Sequence, residues 1–87
     1  MTNVTPGTAA ANGGARKLQS QRVYEQLRRD IAAQRLKPGT VLHEGQLSER
    51  YNASRTPVRE ALFRLQQEGF LHRPGRQLRV RALTYAD

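Results

Sequence analysis

Arg55, Thr56 and Arg59 are the residues of this sequence best suited to chemistry: they fall within five consecutive positions and lead into apolar residues at helical spacing. A guanidinium offers two parallel N–H donors that match O6 and N7 of guanine, and a threonine presents a hydroxyl to a base or phosphate and a methyl group to thymine. Such readout needs a helix to aim the side chains. At about 100° per residue, Val58, Ala61, Leu62 and Leu65 cluster on one side. Thr56, Arg59, Glu60, Phe63 and Gln67 then face the other way, toward whatever the helix meets.

The elements that would position these residues are legible around them. Leu47 and Tyr51 lie one helical turn apart, Asn52, Ala53 and Ser54 make a polar break, and Val58, Leu62 and Leu65 repeat at i, i+4, i+7. The spacing predicts a short helix, a tight turn and a second helix over about 54–68, the layout of a helix-turn-helix whose second helix enters the DNA major groove. Ser54 suits the N-cap, Pro57 is tolerated in a first turn whose N–H groups have no intrahelical acceptor, and Gly69 suits a C-terminal stop. The free N–H groups of that first turn, with Ser54, suit a phosphate.

The charge balance agrees. The 87 residues carry 15 Lys plus Arg against 7 Asp plus Glu, a formal net charge of +8. Arg50, Arg55, Arg59, Arg64, Arg73, Arg76, Arg79 and Arg81 fall in one stretch opposed only by Glu60 and Glu68. That is the footprint expected for a polyanion, because each neutralised phosphate releases counterions; the bland alternative is a solvated basic surface. Arg50, Arg76 and Arg79, with Ser54, are the phosphate-contact candidates. Glu60 is read as an ion-pair partner of Arg64 or a brace for Arg59, ahead of a cytosine contact. Phe63 either packs under a neighbouring domain or the wing, or is exposed.

The rest of the chain frames this segment. Residues 1–19, including TPGTAAANGGA, are expected to be a disordered tail, and residues 20–83 one small folded domain. Ser20 can cap a first helix lined by Val23 or Tyr24, Leu27 and Ile31. Leu36 and Leu42 flank the Lys37-Pro38-Gly39 break as core contacts, and a second helix starts near Glu44. Leu78, Val80 and Ala82 alternate with Arg79 and Arg81, so a strand pairs back with 70–73 across Pro74-Gly75-Arg76-Gln77. The fold class expected is mainly α with a small β-hairpin: three helices plus a two-stranded wing at about 70–81. Arg76 at the hairpin tip suits the minor groove or its edge.

With no cysteine there is no thiolate metal site, and His43 and His72 lack partners at ligand spacing, so neither metal nor cofactor is expected. No nucleophile, base and orienting group assemble, which argues against an enzyme. No leader-like segment and no long apolar run is present, so a cytoplasmic protein without membrane attachment is expected.

SRTPVREAL at Ser54–Leu62, with RVYEQLRRDIAAQRLKPGTVL before it and RPGRQLRVR after it, resembles the N-terminal domain of GntR-type bacterial transcription regulators, most of all the FadR-like branch containing FCD-type regulators. The resemblance covers about Arg22 to Leu83. It implies a winged helix-turn-helix, double-stranded operator DNA as partner, and a homodimeric full-length protein controlled by a small-molecule effector. That effector would sit in a C-terminal domain reached through a linker starting at 84–87. The chain would then be roughly a third of a regulator, monomeric or weakly dimeric by itself. The resemblance places Arg55, Thr56 and Arg59 on the major groove and Gly75, at the wing tip, in the minor groove. Where some members carry a base-contacting arginine in the first turn of the second helix, this chain has Gly45, followed by Gln46. A winged helix that docks on a protein instead of DNA is the alternative, distinguished by the cluster Arg55, Arg59, Arg76 and Arg79.

Overall fold

Apolar residues one helical turn apart bring three helices together. In a computed structural model, which describes residues 4–82 and the side chains from Gly14 onward, α1 spans Val4–Ala32, α2 Glu44–Arg50 and α3 Arg55–Gln67. Val23, Tyr24, Leu27 and Ile31 of α1 are buried against Val58, Ala61, Leu62 and Leu65 of α3, with Leu47 and Tyr51 closing the core from the α2 side. This is the apolar face read from the sequence, with Leu36 and Leu42 also in the core as expected.

Three short strands complete the fold: β1 Val41–Leu42, β2 Leu71–His72 and β3 Leu78–Val80. They form an antiparallel sheet in the order β1-β3-β2, with Leu42 opposite Leu78 and Leu71 opposite Val80. The expected two-stranded wing is present as the β2–β3 hairpin, and β1 joins its β3 edge as a third strand. The added strand is only two residues long, too short for alternation to reveal. Val80 donates its N–H to the Thr40 carbonyl and accepts from Gly39, tying the wing to the segment that leads into α2.

Each helix ends in the same way. After α3, Gly69 takes φ +89°, its N–H bonds the Gln66 carbonyl and the Phe70 N–H bonds Leu65, the paired bonds of a Schellman motif. After α2, Asn52 at φ 52° does the same, with Asn52 N–H on Glu49 and Ala53 N–H on Ser48. This is the structural content of the polar break in the helix-turn-helix. After α1, Gln34 at φ 61° repeats it, with Gln34 N–H on Ile31 and Arg35 N–H on Asp30.

One boundary differs from expectation. Helix α1 starts at Val4, so residues 4–19, expected as a disordered tail, continue the helix upstream of Ser20. Alanines at positions 9–11 and 15 favour propagation, and Gly13 and Gly14 weaken a helix by about 1 kcal/mol each without stopping it. Among the residues whose side chains are described, from Gly14 onward, Val23 is the first buried one. Ser20 accordingly lies inside the helix, its hydroxyl donating to the Lys17 carbonyl rather than capping a start. The linker expected at 84–87 lies outside the described residues.

Beneath the helix-turn-helix sits a buried carboxylate. Asp30, 9% exposed, accepts from the Tyr51 hydroxyl at 2.5 Å, from Arg35 Nε at 2.8 Å and from Arg50 Nη2 at 3.4 Å. Burial alone would push its pKa up. The Tyr51 and Arg35 hydrogen bonds and the charges of Arg35 and Arg50 outweigh that and hold it below the ordinary aspartate value. Tyr51, desolvated and facing the carboxylate, is pushed up well above the usual phenol value. Arg22 reaches from α1 to donate to the Tyr51 and Asn52 carbonyls at 2.7 and 3.1 Å, satisfying acceptors that the end of α2 leaves open. These contacts fix the angle at which α2 meets α1.

Candidate nucleic-acid interface

Packing one face of α3 into the core leaves the opposite face on the surface. Arg55, Thr56, Arg59 and Glu60 are all exposed in its first two turns. Ser54 holds the N-cap position with extended backbone (φ −70°, ψ 162°), but its hydroxyl makes no capping bond. Its amide instead donates to Gln19 Oε1 of α1 at 3.4 Å. The N-cap prediction is thus right in position, but the hydroxyl does not make the capping bond.

The start of α2 lies beside the start of α3. Glu44 accepts from Arg59 through two bonds, Nε to Oε2 and Nη2 to Oε1, each 3.0 Å. The hydrogen bonds from Arg59 hold the Glu44 carboxyl below the ordinary glutamate value against the effect of burial, with help from the charges of Arg59, Arg55 and Arg73. Arg59 is correspondingly raised by its bonds to Glu44. Arg55 lies across Gly45: a Cβ at position 45 would come within 2.9 Å of its Nη2. The missing side chain at Gly45 leaves the space that this arginine occupies.

The wing closes the same cleft. Glu44, Gly45, Arg55, Arg73, Arg76 and Gln77 line one depression where α2, α3 and the β2–β3 turn meet. Arg73 Nη1 donates to the Arg76 carbonyl at 2.7 Å and so braces the turn, while Gly75 and Arg76 are exposed at its tip. Arg55, Arg59, Gly75 and Arg76, from elements far apart in sequence, are thereby collected on one side of the domain. Thr56 shares the exposed face of α3.

Other candidates have different surroundings. Arg50 does not join this cleft: it pairs with Asp30 and stacks over the Tyr51 ring with its guanidinium carbon 5.6 Å from the centroid. Arg79 donates to the Gly39 carbonyl at 2.8 Å and to Gln77 Oε1 at 2.9 Å. Both arginines hold the fold together, whatever else they touch. Glu60 pairs with Arg16 at 3.5 Å instead of with Arg64 or Arg59 as expected. Arg64 is taken by Glu68 at 3.5 Å and lies over the Tyr24 ring at 3.8 Å, and Arg59 is taken by Glu44. Phe63 is 60% exposed, so it is not packed under the wing.

Sequence reasoning missed Glu44, Arg73, Arg22 and Asp30. For Glu44 a faint signal existed, an acidic residue in the first turn of a helix in a basic region, where it favours the helix dipole. Its pairing across 15 residues with Arg59 had no local sign. No helix among the described residues is long and apolar enough to cross a membrane.

Comparison with known proteins gives the same answer as the geometry. The sequence model of the family described as bacterial regulatory proteins, gntR family, matches residues 19–80. The chain is 43% identical over 69 residues to the HTH-type transcriptional repressor RspR of Escherichia coli (strain K12), covering 78% of this chain and 30% of that protein. It is 35% identical over 65 residues to the uncharacterized HTH-type transcriptional regulator YdhC of Bacillus subtilis (strain 168), covering 74% of this chain and 29% of the relative. A crystal structure described as that of a GntR-family transcriptional regulator superimposes with a TM-score of 0.69 at 31% identity, covering 79% of this chain and 28% of the other. The chain thus spans under a third of the length of these proteins. With three helices, an antiparallel wing and this family match, the chain belongs to the GntR family of helix-turn-helix transcription regulators and carries its non-enzymatic, DNA-binding domain.

Proposed function

We propose that this domain binds double-stranded operator DNA sequence-specifically, with α3 in the major groove and the wing tip at the minor groove. The observation that carries the proposal is that exposed Arg55 and Arg76 line one depression, to whose rim the Glu44 bonds tie exposed Arg59, from the first turns of α3 and the tip of the wing. Arg55, Thr56 and Arg59 read base edges, and Gly75 lets the wing backbone approach the minor groove. Ser54, Arg50, Arg76 and Arg79 contact phosphates, Arg50 and Arg79 with the donors their structural bonds leave over.

In the full-length protein, we infer a cytoplasmic, metabolite-responsive repressor of the FadR-like branch, homodimeric through a C-terminal effector domain. The resemblance of SRTPVREAL supports the branch, and the repressor name of the Escherichia coli relative supports the sign of regulation. The isolated domain is then a monomer or weak dimer. Selection of duplexes from a random pool, on this domain and on the full-length protein, tests the reading. The expected result is one enriched half-site for the domain, and for the full-length protein two such half-sites in a palindrome about one helical turn apart. No enrichment over random sequence, with binding insensitive to salt, would instead favour a protein-docking surface, for which exposed Phe63 is the supporting observation.

A further inference from the structure

We propose that Glu44 is a positioning and specificity-determining residue: its carboxylate grips one edge of the Arg59 guanidinium so that the opposite end is presented, already oriented, to a base. The inference rests on the reading of α3 as the helix that enters the groove.

The geometry of the fork carries the argument. A guanidinium has five N–H donors: one on Nε and two on each Nη. Glu44 accepts from Nε and from Nη2. Both hydrogens of Nη1 and one of Nη2 remain. The Nη1 and Nη2 hydrogens that point along the end of the side chain form the parallel pair that matches O6 and N7 of guanine. The carboxylate thus occupies the edge that does not read and leaves free the edge that does.

Restraint and charge act in the same direction. An exposed arginine samples many rotamers, and holding it in place before contact removes that ordering cost from binding. Arg59 is exposed and held at both ends of its Nε–Nη2 edge. Glu44 also offsets the positive charge that would attract any phosphate, so Arg59 contributes less to sequence-independent attraction and more to base discrimination. The hydrogen bonds from Arg59 itself hold the Glu44 carboxyl below its ordinary value, and the nearby charges of Arg55 and Arg73 add to this. Gly45 leaves the room in which Arg55 lies alongside.

The test compares wild type, Glu44→Gln, Arg59→Ala and the double variant. Each is titrated against a duplex enriched by the wild-type chain and a scrambled duplex of equal length, with circular dichroism melts to check folding. Glu44→Gln keeps the side-chain size and removes the charge. The expected result is weaker binding to the enriched duplex and stronger binding to the scrambled one, so that the ratio of the two affinities falls by about tenfold. In the Arg59→Ala background, Glu44→Gln is expected to change that ratio no further. An unchanged ratio in Glu44→Gln, while Arg59→Ala lowers it, overturns the positioning role alone. An equal fall from Glu44→Gln with and without Arg59 overturns it as well, because Glu44 then acts through something else. An unchanged ratio in Arg59→Ala overturns the base-reading role of Arg59 and the proposal with it.

Discussion

Replacing Asp30 by asparagine is expected to destabilise the domain by about 2–3 kcal/mol, a large part of its stability. The hydrogen bond from the Tyr51 hydroxyl to a buried, charged acceptor contributes about 1.5–3 kcal/mol, and a neutral amide oxygen retains roughly half of that. Arg35 and Arg50 are about half exposed, so their ion pairs with Asp30 are screened and add up to about 1 kcal/mol each. Alanine at position 30 is expected to cost more, about 3–4 kcal/mol, because the Tyr51 hydroxyl would be left buried without an acceptor. A packed unit of this size has about 3–9 kcal/mol of total stability, at about 0.05–0.15 kcal/mol per residue. At about 4–8 °C per kcal/mol, Asp30→Asn lowers Tm by roughly 10–20 °C. Circular dichroism melts at neutral pH read this directly. The pH dependence follows in sign: the folded pKa of Asp30 lies below the unfolded value near 4. Its contribution is therefore fully present above that unfolded value and is lost as pH falls through the folded pKa. Wild type and Asp30→Asn should converge in stability as the solution is acidified below about pH 4. A Tm shift of under about 3 °C at neutral pH, or a difference that persists unchanged into acid, would refute the placement of this carboxylate as the joint between α1 and α2.

Two further perturbations address packing and backbone. Leu62→Ala, at the centre of the buried face of α3, should cost about 2–5 kcal/mol and leave little or no cooperative thermal transition; a shift of a degree or two would show the helix register to be wrong. Gln34→Gly should stabilise by about 0.5–1 kcal/mol, since a left-handed residue with a side chain is strained, whereas Gly69→Ala at φ +89° should destabilise by about 1 kcal/mol or more; urea titrations of both variants measure the pair, and the same sign for the two would contradict the backbone conformations.

Local signals carried the fold a long way. The α2 start at Glu44, the α3 start after Ser54 and the stop at Gly69 were all readable, because capping residues, Pro57 and apolar periodicity are encoded within a turn or two of chain. Arg55, Thr56 and Arg59 were legible as an exposed face for the same reason. What escaped is made by distant pairing. Strand β1 exists only because β3 lies beside it, the bonds from Arg59 to Glu44 and from Tyr51 to Asp30 join different elements, and Arg64 turns over Tyr24 rather than toward Glu60. Ion-pair partners in particular cannot be read from i, i+4 spacing when a neighbouring helix offers a competing charge. The extension of α1 to Val4 was missed for another reason: composition reports how little surface a segment can bury, whereas a helix already nucleated downstream propagates one residue at a time.

The central claim is that α3 reads bases while the wing anchors, and titrations of Arg55→Ala, Arg59→Ala and Arg76→Ala against enriched and scrambled duplexes at several salt concentrations test it most directly. Loss of a bidentate base contact should lower affinity for the enriched duplex by about 10- to 100-fold in Arg55→Ala or Arg59→Ala, with little change on the scrambled one. Arg76→Ala should weaken both duplexes by similar factors and reduce the salt slope by about one charge. Equal losses on both duplexes for all three variants would contradict the major-groove role of α3, and no loss for any of them would contradict DNA binding through this face.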